Sequence, residues 1–317
     1  MVAQATETGG ETRAEARRSR RRRKVHETSS DRVFNALNNT FLILILLVVL
    51  YPLLYVVSCS FSSTLAIYSG RVWVWPVDFQ LIAYEEIFDY PPVLLGYRNT
   101  IFYTAVGTAI NVVLTIMAAY PLSRRDLAGR NVIMFAYTFT MIFYGGLIPT
   151  YLLVRSLGML NTRWALLIPQ AVHVFNVIIA RTFFQNNIPQ DMLDAAKIDG
   201  ASDVQFITRV VLPLSGAILA VITLFYAVGH WNAFFDAFIY LSSRRLYPLQ
   251  VFLREILVMN EFDADLMVDP KEMQAMEDLR ELLKYALIIV SSVPVLLMYP
   301  FVQKYFVRGV MLGSIKG

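Results

Sequence analysis

Residues 40–60 contain no charged side chain. A run of that length constrains the fold more than any motif, because about 20 apolar residues are what a helix needs to span a bilayer. Comparable apolar runs recur at 100–122, 132–154, 164–184, 213–241 and 283–305. With 56% hydrophobic residues in 317, the chain is too apolar for a soluble domain of its size. Lipid offers no water to satisfy backbone donors and acceptors, so each run is expected to be helical. The predicted fold is therefore all-α: a polytopic membrane protein with six transmembrane helices and both termini on one side. The first run lies too far from Met1, and is too long, for a cleavable leader, and is read as retained.

Lysine and arginine placement sets the orientation. Arg17, Arg18, Arg20, Arg21, Arg22, Arg23 and Lys24 precede the first run and mark the N-terminal side as cytoplasmic. The loop 123–130, with Arg124, Arg125 and Arg130, then falls inside as well, and elsewhere the bias is weak. This order puts both termini and the segment 188–212 in the cytoplasm. Arginines clustered beside a first span read as an orientation signal or a contact with anionic membrane lipids, and no nucleic acid is expected as a partner. The chain divides into a basic tail, 1–38, and a membrane domain, 39–317.

Several classes of chemistry are excluded. Cys59 is the only cysteine, which rules out an internal disulfide. No GxxxxGK[ST] loop is present, so the chain has no recognisable means of binding ATP. His26, His173 and His230 show no metal-site spacing, and no nucleophile elbow occurs. No catalytic residue, metal or cofactor is expected, and any energy must come from a partner.

The segment 188–212 is polar and has helix punctuation at both ends. Pro189 suits a first turn, Gln190 and Asp191 favour a positive helix end, and Gly200 suits the left-handed conformation that stops a helix. Ser202 with Gln205 forms a capping-box pattern that starts a second helix at once. Met192, Ala195, Ala196 and Asp199 are expected on one face, where the paired alanines would let another backbone approach. An ordinary amphipathic connector is the alternative.

The residues Asp194-Ala195-Ala196, Gly200 and Leu212-Pro213 carry a resemblance to the inner-membrane permease subunits of bacterial binding-protein-dependent ABC importers. Their signature is Glu-Ala-Ala, a glycine four residues on, and a later Leu-Pro; Asp194 stands here for the glutamate. Trp231-Asn232-Ala233-Phe234 and the ending from Gln303 to Gly317 resemble the carbohydrate-uptake branch, the MalG-like and LplC-like proteins. Residues 145–150 and 157–162 look most like the subgroup linked to complex oligosaccharides. The resemblance implies that Asp194, Ala195, Ala196, Asp199, Gly200, Leu212 and Pro213 seat in a cleft of an ATPase dimer, which alone binds ATP and Mg. It further implies a second, similar permease, an extracytoplasmic binding protein, a sugar or oligosaccharide substrate, and a bacterial plasma or inner membrane location.

A substrate path should appear as polar groups inside apolar runs, which are costly in lipid and face the protein interior or a water-filled cavity. Tyr137, Thr140 and Tyr144 recur at three-residue spacing in one run, and Gln170, His173 and Asn176 in the next. Tyr226, His230, Trp231, Asn232 and Asp236 follow. Aromatic faces with amides and a carboxylate suit a sugar; the alternative is that these groups satisfy one another between helices. The stretch 242–281, acidic in its second half, is expected to be an outer loop that meets the binding protein. An importer of peptides or other solutes, or a membrane receptor, is the remaining alternative for the whole chain.

Overall fold

The computed structural model describes residues 28–259 and 270–313, and every regular element among them is helical. In order these are α1 (Ser29–Ser60), α2 (Thr64–Tyr68), α3 (Ile82–Asp89), α4 (Pro91–Ser123), α5 (Arg130–Ile142), α6 (Leu147–Ser156), α7 (Trp164–Leu167) and α8 (Val174–Asn187). Then come α9 (Gln190–Ile198), α10 (Asp203–Leu214, with a π turn over Ile207–Val211), α11 (Gly216–Trp231), α12 (Phe235–Tyr240), a 3-10 turn (Arg244–Leu246), α13 (Leu249–Met259) and α14 (Pro270–Gly313). Residues up to Leu54 form one compact unit and those from Tyr55 onward another, so α1 contributes to both. The arginine tail, the acidic residues between 260 and 269, and residues 314–317 lie outside the described residues.

The second unit is organised around α4, whose packing is inverted relative to a soluble helix. Its buried side holds Gly96, Asn99, Thr100, Tyr103, Gly107, Asn111, Thr115 and Ala119. Leu94, Ile101, Val113 and Met117 face outward, each more than half exposed. Small and polar residues inside with aliphatic residues outside is the pattern expected where lipid, not water, is the solvent, because close backbone approach then drives helix association. The approach is tight: a Cβ on Gly96 would lie 2.9 Å from the Leu249 backbone. Asn99 donates to the carbonyls of Arg245 and Tyr247 at 2.9 and 3.0 Å, Tyr103 donates to that of Leu246 at 2.8 Å, and Thr100 accepts from the Leu249 N–H. These bonds tie the chain between α12 and α13 to the start of α4.

Three described helical segments are long and apolar enough to cross a bilayer: α1, α4 and Asp278–Pro300 of α14. Two bent pairs raise the number to five if each is one crossing: α5 with α6, bent by 113°, and α10 with α11, bent by 84°. The continuous helices expected over 164–184 and 213–241 are not found. The first is interrupted between Leu167 and Val174, where Pro169 has no N–H for the helical ladder. The second is broken at Ser215 and again at Asn232–Phe234, where the Asn232 side chain turns back onto the Val228 carbonyl at 2.9 Å. Nor is 242–281 a plain solvated loop. Its first half contains α13, whose Leu249, Val251, Phe252 and Leu253 are buried, and its end belongs to α14.

Candidate functional site

A cavity of about 670 Å³ opens where the breaks converge. The middle of α4 supplies Asn111, the interruption before α8 supplies Gln170 and His173, and the first turn of α8 supplies Asn176. The end of α11 adds Tyr226 and His230, and α12 adds Asp236. Gln170 and His173 do not share a helical turn, as their spacing led one to expect. Both reach the cavity because the helix is interrupted, with His173 extended as the residue before α8.

The polar groups are partly paired with one another. Gln170 Nε2 donates to Asp236 Oδ2 at 2.9 Å. Tyr226 OH lies 2.7 Å from Thr115 Oγ1 and accepts from the His173 backbone N–H at 3.1 Å, fixing the interruption to α11. Asn111 Nδ2 lies 3.1 Å from His230 Nε2, while Asn111 Oδ1 is buried with no partner among the described residues. Whichever way that amide is turned, one of its ends is buried and unmatched among the described residues. His230 also lies so close to α4 that a methyl at Gly107 would collide with its ring. Asp236 is the only carboxylate on the wall, and no lysine or arginine lines it among the described residues.

The other candidate path residues lie apart. Trp231 is buried and donates from Nε1 to the Ser291 carbonyl at 2.9 Å, a tie between α11 and α14. Asn232 caps its own helix. Tyr144 falls in the break between α5 and α6, highly exposed, with its hydroxyl 3.2 Å from Thr150 Oγ1. Asn111, Thr115 and Gly107 were not among the sequence candidates. The rule that found Gln170, polar or small residues within an apolar run, applies equally to α4.

At the far end of α4, α9 and α10 meet at a capped corner. Gly200 has φ +76°, and α9 ends in a complete Schellman motif: Gly200 N donates to Lys197 O at 3.1 Å and Ala201 N to Ala196 O at 2.9 Å. Ser202 accepts from Gln205 N at 3.3 Å while Gln205 Oε1 accepts from Ser202 N at 2.9 Å, closing the capping box. Leu193, Phe206 and Val211 are buried against Ala119, Tyr120 and Phe184, so the corner rests on the ends of α4 and α8. Ala196 turns inward with them, leaving Met192, Ala195 and Asp199 exposed, so the expected common face is narrower by one residue. Asp194 is held at 3.2 Å by Gln190 Nε2. Beside the corner Arg124 grips Asp126 at 3.1 and 3.2 Å, and these bonds hold the Asp126 carboxyl below its ordinary range.

No family model matches the chain. Whole relatives do. Protein LplC of Bacillus subtilis is 39% identical over 293 residues, which cover 92% of this chain and 98% of LplC. The polygalacturonan/rhamnogalacturonan transport system permease protein YtcP of the same organism is 41% identical over 288 residues, covering 90% and 99%. The chain belongs to the permease subunits of carbohydrate ABC importers. A crystal structure of a bacterial ABC transporter involved in the import of the acidic polysaccharide alginate agrees with this permease at TM-score 0.78 and 38% identity, over 88% of this chain and 98% of its counterpart. Likeness over nearly the full length of each relative places both the cavity and the Gly200 corner within the shared region.

Proposed function

We propose that this permease pairs with a second, similar permease and two ATPase subunits to import an oligosaccharide delivered by an extracytoplasmic binding protein. Six crossings are proposed, with the interrupted 164–187 segment as the fourth and both termini cytoplasmic. ATP and Mg belong to the ATPase subunits. The observation that carries the reading is the cavity, whose wall offers a Gln170–Asp236 pair, an unmatched Asn111 amide and the aromatic rings of Tyr226 and Phe225. Rings and neutral hydrogen-bonding groups suit a sugar face with its hydroxyls. YtcP is named for polygalacturonan and rhamnogalacturonan transport and the solved importer for the acidic polysaccharide alginate, and fragments of such polymers are the substrate class we infer. Among the described residues this wall carries no lysine or arginine, and we propose that the partner permease meets the uronate carboxylates.

The Gly200 corner is the proposed seat for the ATPase. Contacts there move the permease between states only if they differ in strength between the open and closed ATPase, since equal contacts shift nothing. A corner braced by capping bonds on both sides is stiff enough to transmit such a difference. Vesicles holding this chain, its partner permease and the ATPases should take up a labelled oligogalacturonide only with ATP inside and loaded binding protein outside. Uptake without ATP, or by this chain alone, would contradict the proposal.

A further inference from the structure

A second basin, of about 480 Å³, lies where α4 ends, α5 begins and α8 turns into α9. Ser123, Arg124, Arg125 and Arg130 form one side and Gln185 and Gln190 the other, with no carboxylate on its wall among the described residues. Arg124 is committed to Asp126. Arg130 gives one N–H to the Arg124 carbonyl at 3.2 Å, and Arg125 is exposed with no ion pair among the described residues. Two guanidinium groups thus face a concave, amide-lined space with charge to spare, and guanidinium matches the oxygens of a phosphate group in number and geometry.

We propose that this basin binds the phosphate of an anionic phospholipid headgroup. Its place in the fold selects the lipid over free phosphate. Met117, before the basin on α4, and Val132, just after it on α5, are 65% and 72% exposed. An acyl chain therefore has an apolar surface beside the charged seat, which a soluble anion could not use. Gln190 opens α9, so an occupied basin braces the base of the Gly200 corner as well as the arginine loop.

The arginine tail also attracts anionic lipid, so the test must be local. In nanodiscs holding the complete importer, a phosphatidylglycerol with a photoactivatable headgroup should label peptides from 123–130 and 184–190. Arg125→Gln, a change at an exposed position, should cut that label about fivefold, and Arg125→Lys, which keeps the charge but not the forked donors, should cut it less. Adding Arg130→Gln should lower it by about as much again. Soluble glycerol phosphate in excess should leave the labelling unchanged. Equal labelling in Arg125→Gln and the parent would overturn the site. Full displacement by glycerol phosphate would overturn the lipid as its ligand.

Discussion

The Gly200 corner and the His230 cavity are both polar places in an apolar protein, but they are made in opposite ways. Every bond that shapes the corner joins residues within five positions of each other. The cavity is closed by Gln170 on Asp236, 66 residues apart, and by Asn111 on His230, 119 apart. The hydrogen bonds of the corner are therefore local, although its buried side chains rest on the ends of α4 and α8. The cavity exists only for a given arrangement of α4, α8, α11 and α12, as the transport path proposed above would require.

The comparison can be broken at several points. Gly200→Pro should have the largest effect. Proline cannot adopt φ +76° and has no N–H for the Lys197 carbonyl, a cost of about 3 kcal/mol or more confined to the corner. The variant should reach the membrane yet fail to retain the ATPase in a pull-down, and full retention with full uptake would show that the corner is not the coupling element. Gly107→Ala comes next. It drives His230 off α4 at about 1–3 kcal/mol, read as a lower melting temperature of the purified complex. Adding His230→Ala should recover most of that loss, whereas strictly additive losses would mean that the close approach is not its source. Gln170→Ala is the smallest change. Losing one proposed hydrogen bond to the substrate, of about 0.5–1.5 kcal/mol, should weaken uptake by up to about tenfold, with assembly and basal ATP hydrolysis unchanged.

The same contrast explains what could be read from the sequence. Pro189, Gly200, Ser202 and Gln205 have conformational preferences that act over a single turn, so the corner's form was legible. Gln170, His173, Tyr226, His230 and Asp236 were legible as costly polar groups in apolar runs. Their meeting was not, because it depends on interruptions at 168–173 and 232–234 that a hydropathy run conceals. Asn111 and Gly107 escaped for a related reason: a helix that packs small and polar residues inward carries its contacts on the side that apolar periodicity ignores. Tyr144 does not line this cavity, because its helix ends at Ile142, ahead of the residue that periodicity had placed on a continuing face.

The central claim is that this cavity belongs to the transport path and changes with the ATPase cycle. It is tested most directly by thiol accessibility. A single cysteine at Gln170, and separately at Asn111, in a Cys59→Ser background that removes the buried native thiol, would be treated with a small aqueous thiol reagent in the assembled importer. Both thiols should react, and their rates should differ several-fold between the nucleotide-free complex and the complex trapped with ATP and loaded binding protein. Thiols that stay inert in every state, or react at one rate throughout, would mean that these side chains pack between helices and that the cavity lies off the path.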